Sequence, residues 1–134
     1  MKREDIREIT MQLIYQMDIT NDFRVADLSV IEENEKAAGK RQAVETLAAV
    51  QDHHDEIDEI ISNNLDKWTI DRIARTDLAV LRTAVAEMLY VDSIPVRVSI
   101  NEAVNLAKKY GDDRSYAFIN SVLGKISRSI ETDE

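Results

Sequence analysis

The chain has 134 residues, no cysteine, one proline, three glycines and a formal net charge of −9. The missing cysteine excludes disulfides, thiolate chemistry and zinc–thiolate sites, and the negative charge speaks against indiscriminate nucleic-acid binding, which is driven by neutralising phosphates. So little glycine and proline leaves out the turn chemistry of sheets and barrels, and the length suits one all-α domain with a sizeable core.

No apolar run approaches the length of a membrane span, and no hydrophobic region follows the N-terminal charges as a secretory signal requires. The expectation is a cytoplasmic protein with no membrane partner. Acid is concentrated between residues 31 and 59, where nine carboxylates face Lys36, Lys40 and Arg41. A surface polarised in this way can leave a basic or neutral face elsewhere.

Residues 2–17 carry Ile6, Ile9, Leu13, Ile14 and Met17 at helical spacing. Lys2, Arg3 and Arg7 stand at the start of this helix, where cations oppose the macrodipole. An anionic partner is one reason to tolerate that cost; pairing with Glu4, Asp5 and Glu8 on a solvated face is the other. Tyr15, two turns beyond Arg7, suits either stacking on a base or packing at a core edge. Residues 20–22 break the helix, and Asp27 can cap a short second one reaching residue 37. A long pattern then runs over residues 41–65, with a bend expected around 52–55. His53 and His54 are adjacent and point apart, and His54 with Asp58 lacks a third ligand, so no metal site is expected.

Thr69 can cap a short helix and Thr76 a longer one bearing Leu78, Leu81, Ala84, Val85, Met88 and Leu89. Trp68 reads as a core anchor. Arg82 and Glu87, in this otherwise apolar segment, are candidates for ion pairs to neighbouring helices. Asp77 in the first turn suits the helix dipole. Residues 94–126 hold the clearest punctuation in the chain. Pro95 breaks the backbone at Ile94, and Ser99 with Glu102 has capping-box spacing. Gly111 supplies a left-handed stop behind Lys108 and Lys109, and Ser115 can cap the last helix beyond the charged residues 112–114.

These signals predict about seven helices in two small bundles packed around a shared core, within one domain over residues 1–130 and a frayed tail at 131–134. There is no glycine-rich phosphate loop, HExxH motif or EF-hand loop, and no His or Ser sits in a recognisable catalytic motif. No catalytic residue, metal, cofactor or small-molecule substrate is expected. A binding module is the better class.

The segments DRIARTDLAVLRTAVAEMLY, IP, INEAVNLAKKYG and S-x-x-FINSVLGKI, with REITMQLIYQMDI near the start, resemble the NusB family of transcription antitermination factors. The likeness runs from the first helix to about Ile126, and its specific part is the C-terminal half. It implies a non-enzymatic all-α, NusB-like protein that binds boxA-type single-stranded RNA of ribosomal RNA transcripts. It implies NusE, a small-subunit ribosomal protein, as partner, within an antitermination complex on RNA polymerase. For this chain the resemblance points to Lys2, Arg3, Arg7, Tyr15, Arg114 and Phe118 on the RNA face and to Asp77 on the NusE side. Two departures stand out: Glu4, Asp5 and Glu8 interrupt the basic start, and Asp112 and Asp113 bring negative charge to the loop. Two alternative readings are a module associated with ribosomal RNA methylation and a domain for protein contacts alone.

Overall fold

The computed structural model describes residues 3–24 and 37–132. Among these, five α-helices follow one another: α1 (Arg3–Thr20), α2 (Ala37–Asn63), α3 (Arg75–Tyr90), α4 (Val96–Tyr110) and α5 (Ser115–Thr132). A single 3₁₀ turn, Ile70–Arg72, precedes α3. The expectation of about seven helices in two bundles is therefore corrected. The segment after Thr69 makes only that 3₁₀ turn, and the helix expected over residues 27–37 lies almost wholly outside the described residues.

The two-bundle picture fails because of α3. Every residue from Asp77 to Glu87 is buried, and a helix covered on all sides belongs at the centre of a core. Helices α1, α2, α4 and α5 all pack on it. One apolar cluster results, with Ile14 from α1, Leu47, Val50, Ile57 and Ile61 from α2, Leu81 and Val85 from α3, and Ile119, Leu123 and Ile126 from α5. Full burial of such side chains is worth about 1.5–3 kcal/mol each, which makes α3 the element the others are built around.

Local punctuation follows physical rules, though not always those expected. Helix α1 ends where Asn21 takes a positive φ of 53°, a conformation that asparagine tolerates better than most residues. Helix α2 bends at His53 (φ −131°, ψ 20°), inside the expected window. Helix α3 starts one residue before Thr76, and its N-cap Ala74 supplies no side-chain cap. Helix α4 starts at Val96 with Pro95 as N-cap, so Ser99 is not the cap. Pro95 already has helix-compatible φ, and its carbonyl accepts from Val98 N (2.9 Å) and Ser99 N (3.2 Å).

Gly111 is extended (φ −96°, ψ −177°), so its left-handed role is also corrected. Space explains this glycine instead. A Cβ there would strike Ser115 Oγ and lie 2.8 Å from the Ala107 carbonyl oxygen. The tight return from α4 to α5 needs the missing side chain.

Arg82 and Glu87 behave as expected from their polar character in an apolar segment. The guanidinium of Arg82 donates to both Asp58 carboxylate oxygens on α2 (2.8 and 2.7 Å) and faces Asp18 of α1 at 3.3 Å. Glu87 reaches α1 and α4, as described below. The central helix is thus tied to α1 and α2 by ion pairs and to α4 by the Ser99 hydrogen bond, as well as by apolar contact.

Candidate nucleic-acid interface

The described residues expected at the interface fall on α1, the first turn of α3, and the loop into α5 with that helix's first turn. Lys2 lies outside the described residues, and Arg3 is the first residue of α1. Arg7 is fully committed inside the protein. Its Nε and Nη2 donate to the two oxygens of Glu87 at 2.8 and 3.1 Å, and Nη1 lies 3.9 Å from Glu102. The side chain of Arg7 is 12% exposed and that of Glu87 only 3%. Ser99, buried in α4, donates its hydroxyl to the same carboxylate at 2.9 Å. A bidentate, largely dry pair of this kind is among the stronger protein hydrogen-bonded contacts. Arg7 is therefore a strut joining α1, α3 and α4.

Among the described residues, Arg7 pairs with Glu87 and Glu102 and makes no ion pair with Glu4, Asp5 or Glu8. Glu8 turns to α4, where Lys109 Nζ donates to both its oxygens at 2.7 and 2.9 Å and the Tyr110 hydroxyl donates as well. Hydrogen bonds from Lys109 and then from Tyr110 hold the Glu8 carboxyl below its usual range. One of the three acids that interrupt the basic start is thus neutralised by a cation from another helix.

Tyr15 is 38% exposed on α1. It shares a cleft of about 190 Å³ with Met11, Gln12, Thr76 and Tyr110. The first turn of α3 and the end of α4 therefore meet α1 at this tyrosine.

Asp77, Arg114 and Phe118 come together. They line one open concavity of about 380 Å³ together with Trp68, Arg72 and Ser115. Asp77 is buried, and its pKa is raised by loss of solvent, opposed by a hydrogen bond from Ser115 and reinforced by the nearby charge of Asp112. The Ser115 hydroxyl lies 3.3 Å from Asp77 Oδ2 and 3.3 Å from Asp112 Oδ1. It has one proton to offer two carboxylates, so Asp77 and Asp112 compete for it. The Asp112 carboxylate is engaged at the helix start: its Oδ1 accepts from Arg114 N at 2.9 Å, which lowers its pKa. Phe118 is half-buried and Arg114 exposed, with no salt bridge to Arg114 among the described residues.

Trp68 was expected in the core and is instead 55% exposed at the mouth of this concavity. A second concavity, lined by Lys67, Trp68, Phe118, Val122 and Lys125, adjoins it. The signal for Trp68 lay in its neighbours, since DKWTIDR places a tryptophan among charges just beyond Asn63 and Asn64. Tyr110 and Gln12 were also missed. Their joint position depends on how α4 crosses α1, which no local pattern encodes.

The chain as a whole is similar to known proteins in sequence and in structure. The sequence model of the NusB family matches residues 4–128. The transcription antitermination protein NusB of Bacillus subtilis (strain 168) is 42% identical over 135 residues, covering 98% of each chain. Among solved structures, the NusB of T. maritima superposes with a TM-score of 0.83 at 29% identity, covering 96% of this chain and 92% of that one. A crystal structure of antitermination factors NusB and NusE in complex with double-stranded RNA superposes with a TM-score of 0.78 at 27% identity, covering 95% and 96%. No described helix is long and apolar enough to cross a membrane.

Proposed function

The chain belongs to the NusB family of transcription antitermination proteins, and from that premise we propose that it binds boxA-type RNA of ribosomal RNA transcripts together with NusE. It would act as a binding factor and not as a catalyst, helping to assemble an antitermination complex on RNA polymerase in the cytoplasm. The observation that carries this reading is the concavity that joins Asp77 to Arg114 and Phe118. It supports a protein-contact residue and two RNA-contact residues working at one junction, so that each partner completes the other's site. The related NusB–NusE–RNA crystal structure supports the same pairing.

In this reading Lys2, Arg3 and Arg114 supply cations for the RNA backbone, and Tyr15 and Phe118 offer ring faces to unpaired bases. Arg7 serves the RNA face indirectly, by fixing the start of α1 through Glu87. Three phosphate contacts to a single strand give a modest log–log salt slope of about −2. The RNA is thus held weakly by this chain alone and firmly by the pair. Asp77 faces NusE: a carboxylate kept from water, whose Ser115 donor is shared with Asp112, gains when a partner brings another.

The single tryptophan makes the NusE seat directly measurable. Adding NusE shifts and quenches or enhances Trp68 emission as the concavity is covered. Asp77→Ala weakens the complex by about 10–100-fold, the equivalent of losing a charged hydrogen bond. A complex that forms, as judged by sedimentation, while leaving Trp68 emission unchanged would place NusE elsewhere.

A further inference from the structure

We propose that the cleft lined by Met11, Gln12, Tyr15, Thr76 and Tyr110 is a pocket for one unpaired RNA base, with Gln12 and Thr76 reading its edge. The proposal rests on the RNA-binding reading above and adds a site and residues to it. The cleft lies where α1, the first turn of α3 and the end of α4 meet. Along the chain and in space it connects Tyr15 to the loop that carries Arg114.

Its chemistry suits a base better than an apolar side chain. Two tyrosines remain 38% and 36% exposed, while Met11, at 2%, forms a closed apolar wall. Aromatic faces stack on any base, and hydrogen-bonding groups at the rim then discriminate among bases. The Tyr110 hydroxyl is fixed from two sides: it accepts from Gln12 Nε2 at 2.9 Å and donates to Glu8. That bond orients the Gln12 amide and leaves its carbonyl oxygen as an available acceptor. Among the described residues, neither this oxygen nor the Thr76 hydroxyl has a recorded partner. An acceptor and a hydroxyl beside two rings can bind the donor and acceptor groups on a base edge. Lys109, paired with Glu8, stands beside Tyr110. Its Nζ lies 5.5 Å from the centre of the Tyr110 ring, and its side chain remains 61% exposed despite the pairing with Glu8.

The test is fluorescence anisotropy of labelled boxA-type RNA with NusE present, using an abasic replacement at each position in turn. Tyr110→Leu weakens binding by about 5- to 100-fold, the loss of one stacked base. Tyr110→Phe, which keeps the ring, retains most of the affinity. Gln12→Leu alters the base preferred at one position without changing affinity for RNA abasic there. At that same position the abasic penalty seen with the wild type disappears in Tyr110→Leu. Melting temperatures close to wild type establish that the exposed substitutions leave the fold intact. Should the wild type bind RNA while Tyr110→Leu and Gln12→Leu match it at every position, the base pocket is refuted and the RNA reading stands. Should the wild type not bind RNA even with NusE, the RNA reading falls and the pocket with it.

Discussion

Arg82→Ala destabilises the protein by about 3–5 kcal/mol, the cost of removing one partner from a buried ion pair. For a chain of this size that lowers the melting temperature by about 10 °C or more. Arg82 is 5% exposed and carries a charge that burial works against; hydrogen bonding and attraction from Asp58 and Asp18 outweigh that burial and raise its pKa. Truncation leaves Asp58 without its bidentate partner. Asp18, only 9% exposed, is left with Arg75 alone, whose Nη1 sits 2.8 and 2.9 Å from its oxygens. The guanidinium also covers the Phe23 ring at 5.3 Å, a contact that goes with it. Replacing both members of the bidentate pair, as Arg82→Met with Asp58→Leu, costs less than Arg82→Ala, because Asp58 is then not stranded and Asp18 keeps Arg75. Urea denaturation followed by circular dichroism measures both. A single variant as stable as the wild type would show that the pair contributes nothing.

Glu87→Ala has a comparable effect, about 3 kcal/mol, and a different consequence. It strands the Arg7 guanidinium and removes the acceptor for Ser99, so the starts of α1 and α4 lose their shared polar tie to α3. Glu87→Gln keeps an acceptor for one of those donors and costs about 1–2 kcal/mol. The loss is localised at the start of α1. Amide hydrogen exchange speeds up there first, at denaturant concentrations where α3 remains protected. Because the RNA reading places Arg3 in that turn, RNA affinity falls in Glu87→Ala even under conditions where the protein is folded. Uniform exchange across all helices would show that Glu87 stabilises only the whole molecule.

Helix patterns carried much of the architecture. The apolar stripes of residues 6–17 and 78–89 became α1 and α3, and Pro95 marked the break before α4. What remained hidden depended on contacts across the sequence. Ser99 has the local signature of a cap, but Glu87 of α3 lies within reach of its hydroxyl once α4 packs, and the cap falls to Pro95. Gly111 has the local signature of a left-handed stop, yet its requirement is steric clearance from Ser115 and Ala107. For Arg7 the local pattern offered an outside anion or the neighbouring Glu4, Asp5 and Glu8; its partner is instead Glu87, 80 residues further along the same chain. Trp68 reads as core by residue type, since large aromatics are mostly buried, and only its charged neighbours hinted otherwise. Family likeness supplied Asp77, Arg114 and Phe118, and the structure added that they share one concavity. Neither likeness nor local pattern indicated the Gln12–Tyr110 bond, which spans α1 and α4.

In the proposed function, RNA and NusE are bound jointly at adjoining surfaces of one small helical core. The most direct measurement is a titration of labelled boxA-type RNA with this protein, with and without NusE, against a scrambled RNA of equal length. Weak binding by this chain alone is expected, with a log–log salt slope of about −2, and a gain on adding NusE that is specific to the boxA-type sequence. Equal affinity for the two RNAs, unchanged by NusE, would contradict it.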